Sequence, residues 1–298
     1  MINVIPFKKS GVKKFNLLFH RHSIGKNTKL AVGIVGCGTI GMELAQWLQR
    51  DLKQTAQVVV LHDRIFEKAS ELAKLLHPSP VSTNSLEELV QRSQLIIESA
   101  SASAVPEIAQ NTFKKGKDLM VMSTGGLLQN PALFTLARKQ SSRIYIPSGA
   151  IGGVDAIKAA GLGGIECLSL TTWKSPESLA SAPYWIKKNK SWESIKKETL
   201  LFEGDVLTAI QLFPQNINIS AILQLAVPEF LNIVVRIYAV PQLRKNIHEI
   251  VIQAESGNMT FRMENEPAPM NPKTSYLAIL SAKVLLKEIT SSIIRVGS

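Results

Sequence analysis

The chain has 298 residues, 45% hydrophobic and 19% charged, with a formal net charge of +11. That length accommodates two domains and a sizeable core, and no apolar run reaches the ~20 residues needed to span a bilayer. Two cysteines, Cys37 and Cys167, exclude a disulfide framework and make a reducing cytoplasm the default compartment.

The charge is unevenly placed. Residues 1–29 carry seven Lys or Arg and no acid. Residues 1–28 read as a basic, flexible leader, with too short an apolar core for a secretory signal and only a weak likeness to an organelle transit peptide. Aromatic residues are not interleaved with the charges, which argues against nucleic-acid binding.

The first predicted strand, Leu30 to Val35, is short and β-prone, as a strand buried on both faces should be. It runs into Gly36-x-Gly38-x-x-Gly41, and Ile40 and Gly41 open a helical pattern. Gly36 allows a tight turn, Gly38 lets a pyrophosphate approach the backbone, and Gly41 lets helix and strand pack closely. The free N–H groups at the helix start then face the anion. A second strand, Val58 to Leu61, leads to Asp63, 22 residues after Gly41 and in the position of the acid that takes a ribose 2′-hydroxyl. Arg64 beside it would partly compensate a 2′-phosphate. The expected cofactor is therefore NAD, with NADP tolerated.

A helix is predicted from Ile65 to Leu76, stopped by His77-Pro78-Ser79-Pro80. Ser85-Leu86-Glu87-Glu88 has capping-box spacing and starts another. Leu95–Glu98 is a strand, Pro106–Phe113 a helix, Asp118–Met122 a strand, Pro131–Lys139 a helix and Arg143–Ile146 a strand. Such alternation implies right-handed crossovers and a parallel sheet with ligand chemistry at the carboxyl ends of its strands. Ser99-Ala100-Ser101-Ala102-Ser103 and Ser123-Thr124-Gly125-Gly126 lie at those ends. Their small residues, Ala100 among them, suit close approach of a cofactor or an ordinary loop.

The pattern changes at Pro147-Ser148-Gly149-Ala150-Ile151-Gly152-Gly153. Longer alternating strands follow at Ile165–Thr172, Val234–Ala239, Ile247–Ala254 and Asn258–Glu264, with helices at Asp205–Leu212 and Ile217–Ala226. The polar segment Lys174–Lys197, with its two prolines, reads as a surface insertion. A last helix is expected to start near Thr274-Ser275. Its stripe of Leu277, Leu280, Val284, Leu285 and Ile289 would return it to the first domain. The expected organisation is α/β. A Rossmann dinucleotide-binding domain takes 29–148 with 272–298, and a smaller α+β catalytic and dimerisation domain takes 149–271. No Cys/His cluster has metal-ligand spacing, so no metal is expected.

Four blocks carry a family resemblance. They are Pro147-Ser148-Gly149-Ala150-Ile151-Gly152-Gly153-Val154-Asp155, Phe213-Pro214-Gln215-Asn216-Ile217-Asn218, Asn246-Ile247-His248, and Glu264-Asn265 leading to Asn271-Pro272-Lys273-Thr274-Ser275. With the glycine loop they resemble the L-aspartate dehydrogenase family from about Lys29 to the chain end. The resemblance implies NAD(P)-dependent oxidation of L-aspartate to iminoaspartate, which hydrolyses to oxaloacetate plus ammonia or feeds quinolinate and NAD synthesis. It also implies a homodimer, a catalytic histidine at His248, and cofactor contacts at Ala150 and Asn218. Gly125-Gly126 stands where many members have a glycine-alanine pair, and Trp173 where many have a basic residue.

The chemistry is consistent with that assignment. Forming an imine requires the substrate ammonium to lose a proton, and histidine, with an unperturbed pKa of ~6.5, takes either state near neutrality. His20 and His22 lie in the leader, His62 flanks Asp63 and His77 abuts a proline stop, leaving His248 in a catalytic-domain strand. Alternation puts Asn246 on the same strand face, where it would orient the imidazole. Lys273, before the last helix, is either a ligand for a substrate carboxylate or a solvated lysine. The alternatives are a dehydrogenase for another small amino acid and a catalytically silent dinucleotide-binding sensor. The Glu-Lys-Pro motif of sugar oxidoreductases is missing after the Asp118 strand.

Overall fold

The computed structural model describes residues 29–214, 218–228, 231–269 and 271–291, apart from the side chains of 272, 273 and 291; the expected leader lies outside them. The first half alternates strand and helix: β1 (Leu30–Val35), α1 (Thr39–Asp51), β2 (Ala56–His62), α2 (Phe66–Lys74), β3 (Val81–Ser82), α3 (Leu86–Arg92), β4 (Leu95–Glu98), α4 (Val105–Lys114), β5 (Asp118–Val121), α5 (Gly125–Leu128), α6 (Ala132–Lys139) and β6 (Ile144–Tyr145). The strands form a six-stranded sheet in the order β3-β2-β1-β4-β5-β6, with every pairing parallel. This is the Rossmann order, whose switch point lies between β1 and β4. Val32, Ile34, Ile96, Ile97 and Met120 are fully buried, because helices cover both faces. Ser85 caps α3 by accepting from the Glu88 backbone N–H at 3.1 Å. The Glu88 carboxylate turns to Thr83 Oγ1 at 2.5 Å, so the reciprocal half of a capping box is absent.

The second half contains α7 (Val154–Gly163), β7 (Ile165–Lys174), α8 (Pro176–Leu179), α9 (Pro183–Lys187), β8 (Thr199–Gly204), α10 (Val206–Leu212), α11 (Asn218–Ala226), β9 (Ile233–Ala239), β10 (Asn246–Ala254), β11 (Gly257–Asn265), β12 (Pro267–Ala268), β13 (Asn271–Ser275) and α12 (Tyr276–Ser291). Five strands form a mixed sheet, β11-β10-β7-β9-β8, in which β7 and β9 alone run parallel. Helices α7, α10 and α11 contact one of its faces. On that face Leu168, Leu170, Ile233, Val235, Ile237, Ile250 and Ile252 form the core. The other face carries Trp173 stacked on Tyr238 at 5.7 Å and the ion pair Arg262–Glu249 at 3.2 Å.

Two expectations are corrected here. The segment 174–197 is at the surface only in its second half, where residues 186–197 are exposed or half-buried; its first half is not a surface insertion. Lys174 ends β7 and is buried, and Leu179, Tyr184 and Trp185 enter the core, where Tyr184 stacks on Phe213 at 5.1 Å. The aromatic pair outweighs the polar composition around it, because each ring buries 150–250 Å². The last helix begins at Tyr276, after strand β13, and its core face is Ile279, Ala282 and Leu286. Leu277, Leu280 and Val284 are exposed, while Leu285 and Ile289 pack at the margin. An α-helix this apolar has two stripes, and packing against α1 selects between them. Lys283 joins α12 to α1 through Glu43 at 3.0 Å. No helix among the described residues is long and apolar enough to cross a membrane.

Candidate active site

Two regions at the carboxyl ends of β1, β4 and β5 and at one end of the mixed sheet hold the chemistry. The first is a cleft of about 680 Å³ lined by Gly36, Gly38, Asp63, Arg64, Lys68 and Ala100, among others. Gly36 has φ +94°, and a Cβ there would lie 2.6 Å from the Ser99 carbonyl. A Cβ on Gly41 would lie 1.9 Å from the Gly36 oxygen, so helix α1 packs this closely only with glycine. Nothing lies near a Cβ built on Gly38, which faces open space. The cradle fits a dinucleotide: a glycine turn, an open approach to the α1 N-terminus and a flanking acid. Ile40 packs at the edge of the sheet core and does not line the cleft.

Asp63 holds the loop together. One carboxylate oxygen accepts from Cys37 N–H at 2.8 Å and the other from Ile65 N–H at 2.9 Å. Lone pairs remain for a ribose hydroxyl. Arg64 and Lys68 line the same cleft, a second cation beyond the one read from the sequence. The Cys37 thiol is pushed up to about 12 by burial and then by the Asp63 charge, and it points to the His62 carbonyl at 3.7 Å. It is therefore an inert thiol.

A third organiser was not legible in the sequence. Glu98, at the end of β4, is fully buried and accepts four hydrogen bonds: from Ala100 N–H (2.8 Å), Ser123 Oγ (2.9 Å), Ser123 N–H (2.9 Å) and Met122 N–H (3.2 Å). Burial raises its pKa while these donors oppose the rise. One carboxylate thus ties the two small-residue loops at the switch point.

The mixed sheet supplies the second region. Along its covered face the apolar rows of β7 and β10 give way at one end to Thr172, Lys174, Asn246 and His248, all buried. His248 lies opposite Thr172, and Oγ1 and Nδ1 are 3.0 Å apart. The ring is thus held from β7 by Thr172, and not by Asn246 as the alternation of β10 implied. Asn246 pairs with Asn265 on β11, and Asn265 donates to the Ala150 carbonyl at 2.9 Å. Ala150 is thereby fixed to the strand beside β10, and its side chain joins the second core. Asn218, first residue of α11, accepts at 3.4 Å from Gly125 N–H of the first half. These two contacts join the loops after β5 and β6 to the mixed sheet.

His248 does not titrate near neutrality, as its free pKa had implied. Burial, and then the Lys174 charge, push it down to about 3, so the imidazole is neutral and able to accept a proton. Lys174 was not singled out by the sequence, where it looked like the start of a loop. Trp173 points to the opposite face, where Nε1 donates to Glu198 at 3.0 Å and the Arg262 guanidinium lies 5.3 Å from its ring. This departure from the family pattern therefore does not touch His248. Lys273 lies in β13, and its side chain is outside the described residues. Among the described residues no cluster of three or more His, Cys, Asp or Glu would hold a metal.

Comparison with known proteins covers both regions. Residues 155–289 match the family described as aspartate dehydrogenase, C-terminal, and residues 36–147 match the homoserine dehydrogenase NAD-binding domain. An L-aspartate dehydrogenase of Methanosarcina mazei is 40% identical over 267 residues, which covers 89% of this chain and 98% of that protein. One of Methanococcus maripaludis is 38% identical over 273 residues, covering 90% and 100%. The crystal structure of aspartate dehydrogenase from Thermotoga maritima matches with a TM-score of 0.70 at 26% identity, covering 91% of this chain and 100% of that one. Likeness on this scale runs through the glycine loop, the crossover and the strand that carries His248, and the chain belongs to the L-aspartate dehydrogenase family.

Proposed function

We propose that this protein oxidises L-aspartate to iminoaspartate, which water converts to oxaloacetate and ammonia. The observation that carries the reading is His248, neutral and held by Thr172 in the polar end of a sheet tied to the loops of a dinucleotide cleft. A nicotinamide dinucleotide supplies the hydride acceptor when bound. Gly36, Gly38 and the α1 N-terminus would hold its pyrophosphate, Asp63 its ribose, and Ala100, Ala150 and Asn218 the remainder. His248 takes the proton that the substrate ammonium must lose, or draws one from the water that opens the imine. Thr172 fixes which ring nitrogen faces the substrate.

The domain reading is 29–148 with 272–298 for the cofactor and 149–271 for catalysis and dimerisation; the packing of α12 on α1 supports it. We place the protein in the cytoplasm, where its free cysteines stay reduced. A homodimer would cover the outer face of the mixed sheet, which exposes Val251 and, towards its other end, carries the Trp173–Tyr238 stack; light scattering measures that mass. The activity is tested by reduction of NAD⁺ and NADP⁺ with L-aspartate, D-aspartate, L-malate and L-glutamate. Turnover with L-aspartate alone supports the reading. Equal rates with L-glutamate, or none with any amino acid, overturn it.

A further inference from the structure

Lys174 is an anomaly in its surroundings. It is 5% exposed, on the same strand face as the fully buried Leu168 and Leu170. Burial pushes its pKa down to about 8 and no favourable charge offsets that loss. None of the ion pairs among the described residues involves it. A buried ammonium without a counter-ion costs stability and is retained against that cost only where something else requires it. Thr172 lies opposite His248, and Lys174 is two residues further along β7 on the same buried face, so Lys174 and His248 are diagonal neighbours on adjacent strands. Thr172 and Asn246, the other polar side chains in this end of the rows, carry no charge.

We propose that Lys174 is a substrate-binding residue whose ammonium takes a carboxylate of the dicarboxylic substrate beside His248. The inference rests on the proposed oxidation of L-aspartate, and it assigns to Lys174 the role that position in the sequence suggested for Lys273. Two consequences follow for the chemistry. The incoming anion supplies the counter-charge that the folded protein lacks at this point. By neutralising Lys174 it also removes one of the two causes that hold the imidazole unprotonated, so the base becomes stronger when substrate is present. Monocarboxylic amino acids with apolar side chains leave one half of this recognition unused.

The test uses the full chain with NADH bound, and succinate as a dicarboxylate that has no amino group to oxidise. Succinate affinity is measured by calorimetry, and the KM for L-aspartate by NAD⁺ reduction. Lys174→Met is expected to weaken both by about 10- to 100-fold, the range for losing a charged hydrogen bond. NADH affinity should stay within about twofold and Tm should rise, because the variant removes a buried unpaired charge. Lys174→Gln, nearer in shape, serves as the second variant under the same criteria, and Lys273→Met is the comparison. Succinate affinity within about threefold of wild type in both Lys174 variants overturns the proposal. So does a Tm that falls together with NADH affinity, which marks a structural lysine, or a loss seen with Lys273→Met instead. Wild-type protein that binds succinate through Lys174 but does not oxidise L-aspartate refutes the proposed function and leaves the carboxylate site standing.

Discussion

Thr172 and His248 face each other across β7 and β10 with Oγ1 3.0 Å from Nδ1, and the ring is 1% exposed. In so dry a position this one hydrogen bond fixes the orientation of the ring and leaves Nε2 as the nitrogen for the substrate, the hydroxyl being able to donate to or accept from Nδ1. Thr172→Val keeps the shape and removes the bond. It should lower kcat/KM for L-aspartate roughly 10- to 100-fold, corresponding to about 1–3 kcal/mol for an orphaned buried polar group. Thr172→Ser should retain most of the rate. Equal rates in all three proteins would mean that Thr172 does not hold the ring.

His248→Ala should depress kcat about 10²- to 10⁴-fold, the usual worth of general acid–base help, with NADH affinity near normal. The pH dependence has a defined sign. The folded-state pKa is about 3 against an ordinary 6.5, so between those values the unfolded chain binds a proton that the folded chain refuses. Stability is therefore lost as pH falls from 6.5 toward 3, and His248→Asn should flatten that part of a Tm-against-pH curve. The corresponding limb of kcat/KM should lie well below pH 6.5. A limb at 6.5 that survives in the variant belongs to another group.

Glu98 is the most heavily bonded side chain at the switch point, with four donors on one carboxylate. Glu98→Ala leaves the Ala100 and Ser123 N–H groups and the Ser123 hydroxyl without their acceptor, while Met122 N–H keeps the backbone carbonyl of residue 98 at 3.0 Å. The expected cost is about 2–5 kcal/mol, with weaker cofactor binding because the Ala100 loop is no longer held. Chemical denaturation and NADH titration measure the two effects. An unchanged denaturation midpoint would show that water replaces the carboxylate.

Cofactor choice should turn on Asp63 against Arg64 and Lys68. Asp63→Ala removes a charge that repels a 2′-phosphate and leaves two cations in the cleft. The ratio of kcat/KM for NADP⁺ over NAD⁺ should rise roughly 10-fold or more. Because the Asp63 carboxylate also accepts from Cys37 and Ile65 N–H groups, the same change should lower stability by about 1–2 kcal/mol. Arg64→Ala combined with Lys68→Ala should move the ratio the opposite way. A ratio that does not respond to either change would place the ribose elsewhere.

Local chemistry by itself determined the glycine loop, the alternating strands and helices of the first sheet, and the alternating strands around His248. Each of these is a periodicity or a turn requirement written within a few residues of chain. Tertiary packing decided the rest. Which stripe of α12 is buried depended on where α1 lay, and Tyr184 and Trp185 became core because Phe213 was there to receive them. The partner of His248 came from Thr172, 76 residues away, and no local pattern specifies a contact across strands. Glu98 read as the polar end of a strand, and only the meeting of the β4 and β5 loops made it a four-donor acceptor. Lys174 read as the beginning of a polar loop because charge is local in a sequence. Burial is not local, and it was burial beside His248 that turned an ordinary lysine into the charge this pocket was missing a partner for.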